Sequence, residues 1–123
     1  MNQQHITEFT PLVERYMTLW NEPDENVRRN LITDLWTEDG AQFTSLREIR
    51  GHQALMERVS SAYDKFVKTE GFLFKVSSPI ETRHDAIKFH WEMIPATGGE
   101  AASVGTVFLL LSNDGRIHYD YQF

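Results

Sequence analysis

The last stretch of the chain, GRIHYDYQF at residues 115–123, holds the side chains best suited to acid–base chemistry. Successive side chains of a β-strand point to opposite faces. His118, Asp120 and Gln122 therefore share one face, and a mostly aromatic set shares the other. Either the aromatic set packs into the core and the polar set faces water, or His118 and Asp120 point into a pocket while the aromatic side chains contact a partner subunit.

The pairing of the last two strands favours the pocket. The NDG sequence before the closing strand is typical of a hairpin turn, and it puts His118 and Asp120 on the face that carries Val107 and Leu109. Both faces of the VGTVFLLL strand are apolar, as in strands that are buried on both sides. Helices can cover one side, so we expect a second copy of the chain to cover the other; the alternative is an outer face left partly exposed. The dimer contact would use Phe108, Leu110, Tyr119 and Tyr121.

A carboxylate among apolar neighbours has a raised pKa, which would make Asp120 a general acid or base near neutral pH. The alternative is an exposed strand residue or a partner for Arg116. Tyr16 is the second candidate, as a hydrogen-bond donor to a ligand oxygen, or else as a core tyrosine with a satisfied hydroxyl. His118 would lie beside Asp120 at the pocket mouth, or in solvent near the turn.

Large apolar side chains could form the wall of a ligand cavity, although plain core packing explains most of them equally well. The histidines show no HxH or HExxH spacing, so we expect no metal site and no cofactor. The expected partner is a small apolar or amphipathic molecule. The residues expected to line the pocket are Trp20, Trp36, Phe43, Phe89, Trp91, Met93, Val107 and Leu109.

Helices are predicted for the first half of the chain. Apolar residues at spacings of three and four define the first helix, whose regular part is expected to start near Pro11. Asp24 caps a second helix, which is expected to include Trp36 and to end at residues 38–40. A third helix is expected over residues 52–68. The inner face of the first helix comprises Ile6, Phe9, Val13, Tyr16, Met17 and Trp20.

The second half predicts antiparallel strands joined by short turns. A two-residue turn at His84 and Asp85 would pair Glu81 with Lys88, an opposite-charge pair that supports this register. Helices followed by an antiparallel or mixed sheet indicate an α+β fold. At 123 residues, the chain is expected to form one domain over residues 1–123.

The composition narrows the function classes. The net charge is −6, and the 12 lysines and arginines form no basic stripe, so nucleic-acid binding is not expected. There is no cysteine, which excludes thiolate chemistry and disulfides and suits the cytoplasm. No apolar run is long enough to span a membrane, and no signal peptide is expected at the N-terminus.

Five stretches resemble the nuclear-transport-factor-2-like superfamily, in particular its SnoaL-like branch of polyketide-cyclase-like and ketosteroid-isomerase-like proteins. The resemblance covers nearly the whole chain. It implies a cone-shaped roll, with three N-terminal helices packed on a strongly curved sheet around a conical pocket, and frequent dimerisation through the outer sheet face. The stretches are RYMTLWNEPD, LWTEDGAQF, RGHQAL, FHWEMIP and VGTVFLLLSNDGRI.

The resemblance also implies roles for single residues. Tyr16, in an Arg-Tyr context, matches the oxyanion-hole tyrosine of ketosteroid isomerases, but Thr44 and Val107 or Phe108 stand where those enzymes have acidic groups. Asp120 resembles in placement the acid–base aspartate of SnoaL-like cyclases. This implies cofactor-free acid–base catalysis on an apolar carbonyl compound. The alternatives are a module of the same fold that binds an apolar ligand without turnover, or one that binds another protein.

Overall fold

The computed structural model describes the backbone of residues 3–123 and the side chains from Phe9 onward. It has the expected α+β architecture, with helices packed on a mixed sheet. The side chain of Ile6 lies outside the described residues. The helices are α1 (Gln3–Asn21), α2 (Glu25–Leu35) and α3 (Gly51–Ala62), and a π-helical segment (Tyr63–Thr69) continues α3. The strands are β1 (Trp36–Phe43), β2 (Glu48–Arg50), β3 (Phe72–Val76), β4 (Glu81–Arg83), β5 (Ala86–Pro95), β6 (Ser103–Leu111) and β7 (Ile117–Gln122).

The strands form one sheet in the order β2-β1-β7-β6-β5-β3, and β4 pairs with the free half of β5. β1 and β7 run parallel, whereas the other described pairs are antiparallel. The predicted pairing of Glu81 with Lys88 is confirmed, and Leu109 lies opposite Asp120, so these two residues share a face as expected. This topology brings the last strand to the middle of the sheet, beside the strand that follows α2.

The pairing of β7 shifts at His118, because Leu110 lies opposite Tyr119 whereas Leu111 lies opposite Ile117. One extra residue in a strand is a β-bulge, which changes the face of the residues beyond it. Ile117 is therefore buried in the core at 0% exposure, instead of sharing the outer face with Tyr119. The alternation expected for the closing stretch holds only from Tyr119 onward.

Two helix boundaries differ from the prediction. α1 continues through Pro11, which is exposed within the helix. α2 ends at Leu35, and Trp36 already has the extended backbone of β1, with φ −102° and ψ 148°. Gly40 was expected to stop a helix. Instead it packs against Trp36, where a Cβ atom would lie 2.7 Å from the indole ring.

A further strand, β2, was not predicted. It forms a hairpin with β1 through a turn in which the Thr44 hydroxyl accepts hydrogen bonds from the backbone of Leu46 and Arg47. The helices cover the inner face of the sheet. Side chains of both layers form the core between them, including Val13, Leu19, Ile32, Leu35, Leu55, Val59, Ile87 and Ile117.

Candidate active site

Asp120 lies on the inner face of β7 and is completely buried, at 0% exposure. Its Oδ2 atom accepts a hydrogen bond of 2.6 Å from the Tyr16 hydroxyl and one of 3.1 Å from Gln42 Nε2. Its Oδ1 atom accepts one of 2.6 Å from Gln122 Nε2. The carboxylate thus has donors on both oxygens, from α1, β1 and β7.

Burial is the largest influence on the acid–base behaviour of Asp120. It raises the pKa of the carboxyl group from 3.8 to about 6, although the hydrogen bonds from Tyr16, Gln122 and Gln42 and the charge of Arg58 lower it. The group therefore changes its protonation near neutral pH, where a proton can be exchanged at little cost in free energy.

Tyr16 is buried at 1% exposure on the inner face of α1. Burial, followed by the charge and hydrogen bond of Asp120, holds the pKa of the phenol well above its usual value. Its oxygen accepts a hydrogen bond of 2.9 Å from Gln122 Nε2. The Trp20 indole N–H lowers the pKa of the same phenol, but makes no hydrogen bond of normal geometry with any described residue.

A cavity of about 390 Å³ lies between α1, α3 with its π-helical extension, and the inner face of the sheet. Tyr16, Gln42 and Gln122 form its polar end, and Asp120 lies behind these three side chains rather than on the cavity surface. The rest is mostly apolar, and the exposed Ser103 is also on its surface. The large apolar side chains that line it are Met17, Trp20, Phe66, Phe74, Trp91 and Met93.

Arg58 is a lining residue that the sequence analysis missed. It is half-buried on α3 and donates from Nε to Gln42 Oε1 at 3.4 Å. Burial, followed by the charge of Arg47, lowers the pKa of its guanidinium. Within the described residues, no carboxylate lies within ion-pair distance of it. Helical spacing could have placed Arg58 on the inner face, because the apolar residues Leu55, Val59 and Ala62 lie three, one and four positions from it along the helix.

Gln42 was also missed, although it is the residue of β1 that donates a hydrogen bond to Asp120. The resemblance drew attention to Thr44, which caps the β1–β2 turn instead. Gln42 is the inward residue two positions earlier, with 1% exposure, and Ala41 beside it is equally buried. The available signal was a polar residue between the small Ala41 and the apolar Phe43, near the end of β1.

Four of the eight residues expected to line the pocket do so: Trp20, Trp91, Met93 and Val107. Trp36, Phe89 and Leu109 instead belong to the closed core, with exposures of 0%, 1% and 0%. The rings of Trp36 and Phe89 pack against the Tyr16 ring, with centroids 5.8 and 5.9 Å away. They therefore hold the phenol in place rather than contact the cavity.

Two further expectations are wrong about direction. His118, at the β-bulge, is carried away from the cavity; its Nε2 atom lies 3.5 Å from Asp39 Oδ2, and its ring stacks on Tyr119 at 4.0 Å. Phe43 follows the inward Gln42 and so points to the outer face, where it stacks on Tyr121 at 5.1 Å. Neither residue lines the cavity.

The outer face of the sheet carries a continuous aromatic cluster. Phe43 contacts Tyr119 and Tyr121, and Tyr121 contacts Phe108, with ring centroids 5.1 to 6.1 Å apart. These side chains and Leu110 are half-buried. Among the described residues, no helix covers this cluster, and the guanidinium of Arg50 lies over the Phe43 ring at 5.3 Å from its centroid.

In the described residues, no group of three or more histidine, aspartate or glutamate side chains is arranged to hold a metal ion. None of the helices described has the length and apolar character needed to cross a membrane.

Comparison with solved structures gives close matches over nearly the full chain. A proposed isomerase of the SnoaL-like family from Agrobacterium tumefaciens is 26% identical, with a TM-score of 0.85 over 95% of this chain and 97% of that one. The chain has the nuclear-transport-factor-2-like fold. Its expected resemblance to the SnoaL-like branch is confirmed by this match.

Other structures with the nuclear-transport-factor-2-like fold are more distant and support the fold alone. A proposed polyketide cyclase from Sinorhizobium meliloti is 11% identical, with a TM-score of 0.73 over 96% of this chain and 98% of that one. A protein of unknown function from Exiguobacterium is 21% identical, with a TM-score of 0.67 over 90% and 95%. No family model matches the chain, and no curated protein matches it significantly.

Proposed function

We propose that this protein transfers protons to and from a small, largely apolar carbonyl compound held in the cavity, without a cofactor. The observation that carries the proposal is the hydrogen bond of 2.6 Å between Tyr16 and Asp120 at the polar end of an apolar cavity. It joins a lining hydroxyl to a carboxyl group whose pKa is about 6. The likeness to the proposed SnoaL-like isomerase from Agrobacterium tumefaciens supports the same class of chemistry.

Because Asp120 does not reach the cavity surface, its proton must pass through Tyr16. A C–H bond next to the substrate carbonyl breaks, and its proton moves to the Tyr16 oxygen while the phenol's own proton moves to Asp120 Oδ2. The electron pair of the broken bond moves onto the carbonyl oxygen as an enolate. Reversal at another carbon completes an isomerisation, and attack of the enolate on a second carbonyl would start a cyclisation.

The enolate oxygen needs a donor that is not already used inside the protein. The Trp20 indole N–H fits this role, because it is buried at the cavity near the Tyr16 oxygen, whose pKa it lowers, and makes no hydrogen bond of normal geometry with a described residue. Gln122 fits it less well, since its Nε2 atom already donates to Tyr16 and Asp120. In this arrangement Tyr16 moves the proton and Trp20 stabilises the negative charge.

The test uses a neutral ketone, 2-acetylnaphthalene, incubated with the protein in D₂O, with deuterium entry at its methyl group followed by NMR. We expect the wild type to accelerate exchange, and Asp120→Asn and Tyr16→Phe each to lose about a hundredfold. Asp39→Asn and Tyr63→Phe are the matched controls, because Asp39 is exposed and neither residue lines the cavity. Equal rates in all five proteins would contradict the proposal.

A second candidate function, ligand binding without turnover, has an observation of its own. Asp120 is fully buried, and both of its oxygens are satisfied by protein donors. A carboxylate in that position also fits a purely structural role, in which it orients Tyr16 and the two glutamines. Binding of the ketone with no exchange above the buffer rate would favour this function.

We also infer that two copies associate through the outer aromatic cluster. Its half-buried rings would lose their remaining contact with water against an identical face. A two-fold contact between identical faces is the commonest way in which soluble chains form dimers.

A further inference from the structure

Arg58 carries a positive charge into a cavity that is otherwise neutral at its surface. Among the described residues that line the cavity, it is the only one with a permanent charge. Its single hydrogen bond to a described residue, from Nε to Gln42, is long at 3.4 Å. The two terminal nitrogens of the guanidinium therefore remain available to donate hydrogen bonds to a ligand.

A half-buried arginine without a carboxylate partner carries a cost in free energy. Burial lowers the pKa of Arg58, yet an arginine stays protonated in proteins. Buried charges are normally paired, and the nearest carboxylate across the wall, Asp120, is already satisfied by Tyr16, Gln42 and Gln122. An anion from outside the chain is the partner that this position lacks.

The local charge supports an anion although the whole chain is acidic. The net charge is −6, but the exposed Arg47 is close enough to Arg58 to lower its pKa. A second cation thus lies near Arg58, which itself is on the cavity wall. Such a local field attracts an anion and raises its concentration at the entrance.

The remaining surface defines the rest of the ligand. The rings of Trp20, Phe74 and Trp91 form a connected group, with centroids 5.7 to 6.5 Å apart along the wall. These rings favour a flat, apolar body. A volume of about 390 Å³ lies near the lower end of ligand cavities, which span about 300 to 1,000 Å³, so one or two fused rings fit.

We propose that the cavity selects a small aromatic carboxylic acid, whose carboxylate pairs with the terminal nitrogens of Arg58 and whose rings lie against Phe74 and Trp91. Planar carboxylates match the guanidinium fork with two parallel hydrogen bonds. The inference rests on the proposed function only in that both need a ligand in this cavity. For the proposed reaction, this selectivity for an acid means that the natural carbonyl substrate also carries a carboxylate.

The test compares two probes of nearly the same shape, 2-naphthoate and neutral 2-naphthamide, by calorimetric titration of the wild type near neutral pH. We expect the wild type to bind the carboxylate at least about tenfold more tightly than the amide. Arg58→Gln keeps the polar contact to Gln42 and should remove that preference while leaving amide binding within about threefold. Arg15→Gln is the charge-matched control, because Arg15 is an exposed residue of α1 outside the cavity.

Three results would overturn the inference. They are equal wild-type affinity for the two probes, equal loss of both probes in Arg58→Gln, and no binding of either probe to the wild type at millimolar concentration. Asp120→Asn separates the inference from the proposed function, because it should stop deuterium exchange and retain the preference for naphthoate. A preference for naphthoate without any deuterium exchange would contradict the proposed function alone. Deuterium exchange without a preference for naphthoate would contradict this inference alone.

Discussion

The hydroxyl of Tyr16 and the carboxylate of Asp120 lie 2.6 Å apart although 104 positions separate them in the chain. α1 supplies the phenol, and β7, in the middle of the sheet, supplies the carboxylate. The core rings of Trp36 and Phe89 fix the phenol from two sides. The pair is thus held by the packing of the whole inner layer, and it has only the cavity on its open side.

The burial of Asp120 should make the protein less stable as the pH rises. Because the pKa is raised from 3.8 to about 6, the folded chain holds a proton that the unfolded chain has lost between these two pH values. The stabilisation is complete below about pH 4 and is lost by about pH 7. The loss amounts to about 3 kcal/mol, because each pKa unit corresponds to about 1.4 kcal/mol. Urea unfolding over this range would measure it.

Asp120→Asn is the control for this effect, because it has no proton to lose. Its free energy of unfolding should exceed that of the wild type by an increasing amount as the pH rises. Asp39 and Asp114, whose pKa values are lowered, act in the opposite direction at lower pH and are present in both proteins. A difference between the two proteins that does not change with pH would contradict the burial argument.

Tyr16→Phe should raise the pKa of Asp120 further. The phenol donates to the carboxylate and lowers its pKa, and a hydrogen bond to a charged group contributes about 1.5 to 3 kcal/mol. We expect an increase of about one to two pKa units, read from the ¹³C chemical shift of the carboxyl carbon. Tyr63→Phe, which leaves the site intact, should not move it; an unchanged value in Tyr16→Phe would mean that the bond contributes nothing.

How far the sequence predicts this site depends on which strand is considered. Asp120 opposite Leu109 follows from the turn and from simple alternation, and the structure has that pair. His118 fails the same rule because a β-bulge, which leaves no clear residue pattern, inserts one residue at that point. The inward position of Gln42 depends on the parallel pairing of β1 with β7, a long-range contact that local patterns do not contain.

Gly105→Ala should close part of the cavity. A Cβ atom at this position would lie 2.5 Å from the Trp91 ring, which covers the glycine and lines the cavity. The ring must move, at a cost of about 1 to 3 kcal/mol in stability, and binding of 2-naphthoate should weaken. Gly105→Ala with Trp91→Phe restores space and should recover part of both losses. No change in either quantity would show that Trp91 does not define the cavity.

Arg58 shows why a pocket is harder to predict than a core. Helical periodicity places it near the inner face, but arginines at the edge of such a face normally extend into solvent. Its unpaired position becomes informative only when the opposing Gln42 and the aromatic rings are known in space.

Phe108→Glu should separate a dimer into monomers. The substitution puts a charge into the aromatic cluster, where Phe108 contacts Tyr121, and two such charges would face each other across a two-fold axis. Sedimentation velocity should show a dimer for the wild type and a monomer for the variant, with an unchanged circular dichroism spectrum. Leu46→Glu, at a position 92% exposed on the β1–β2 turn, should stay dimeric. A monomeric wild type would refute the dimer.

The most direct test of the proton-transfer account is the pH dependence of deuterium exchange into bound 2-acetylnaphthalene. If Asp120 receives the proton through Tyr16, the rate should rise with pH, bend at about pH 6 and then stay level, because only the ionised carboxylate can accept a proton. The bend should be absent from Asp120→Asn and from Tyr16→Phe. A rate that simply follows the hydroxide concentration, or a bend that persists in Asp120→Asn, would contradict the account.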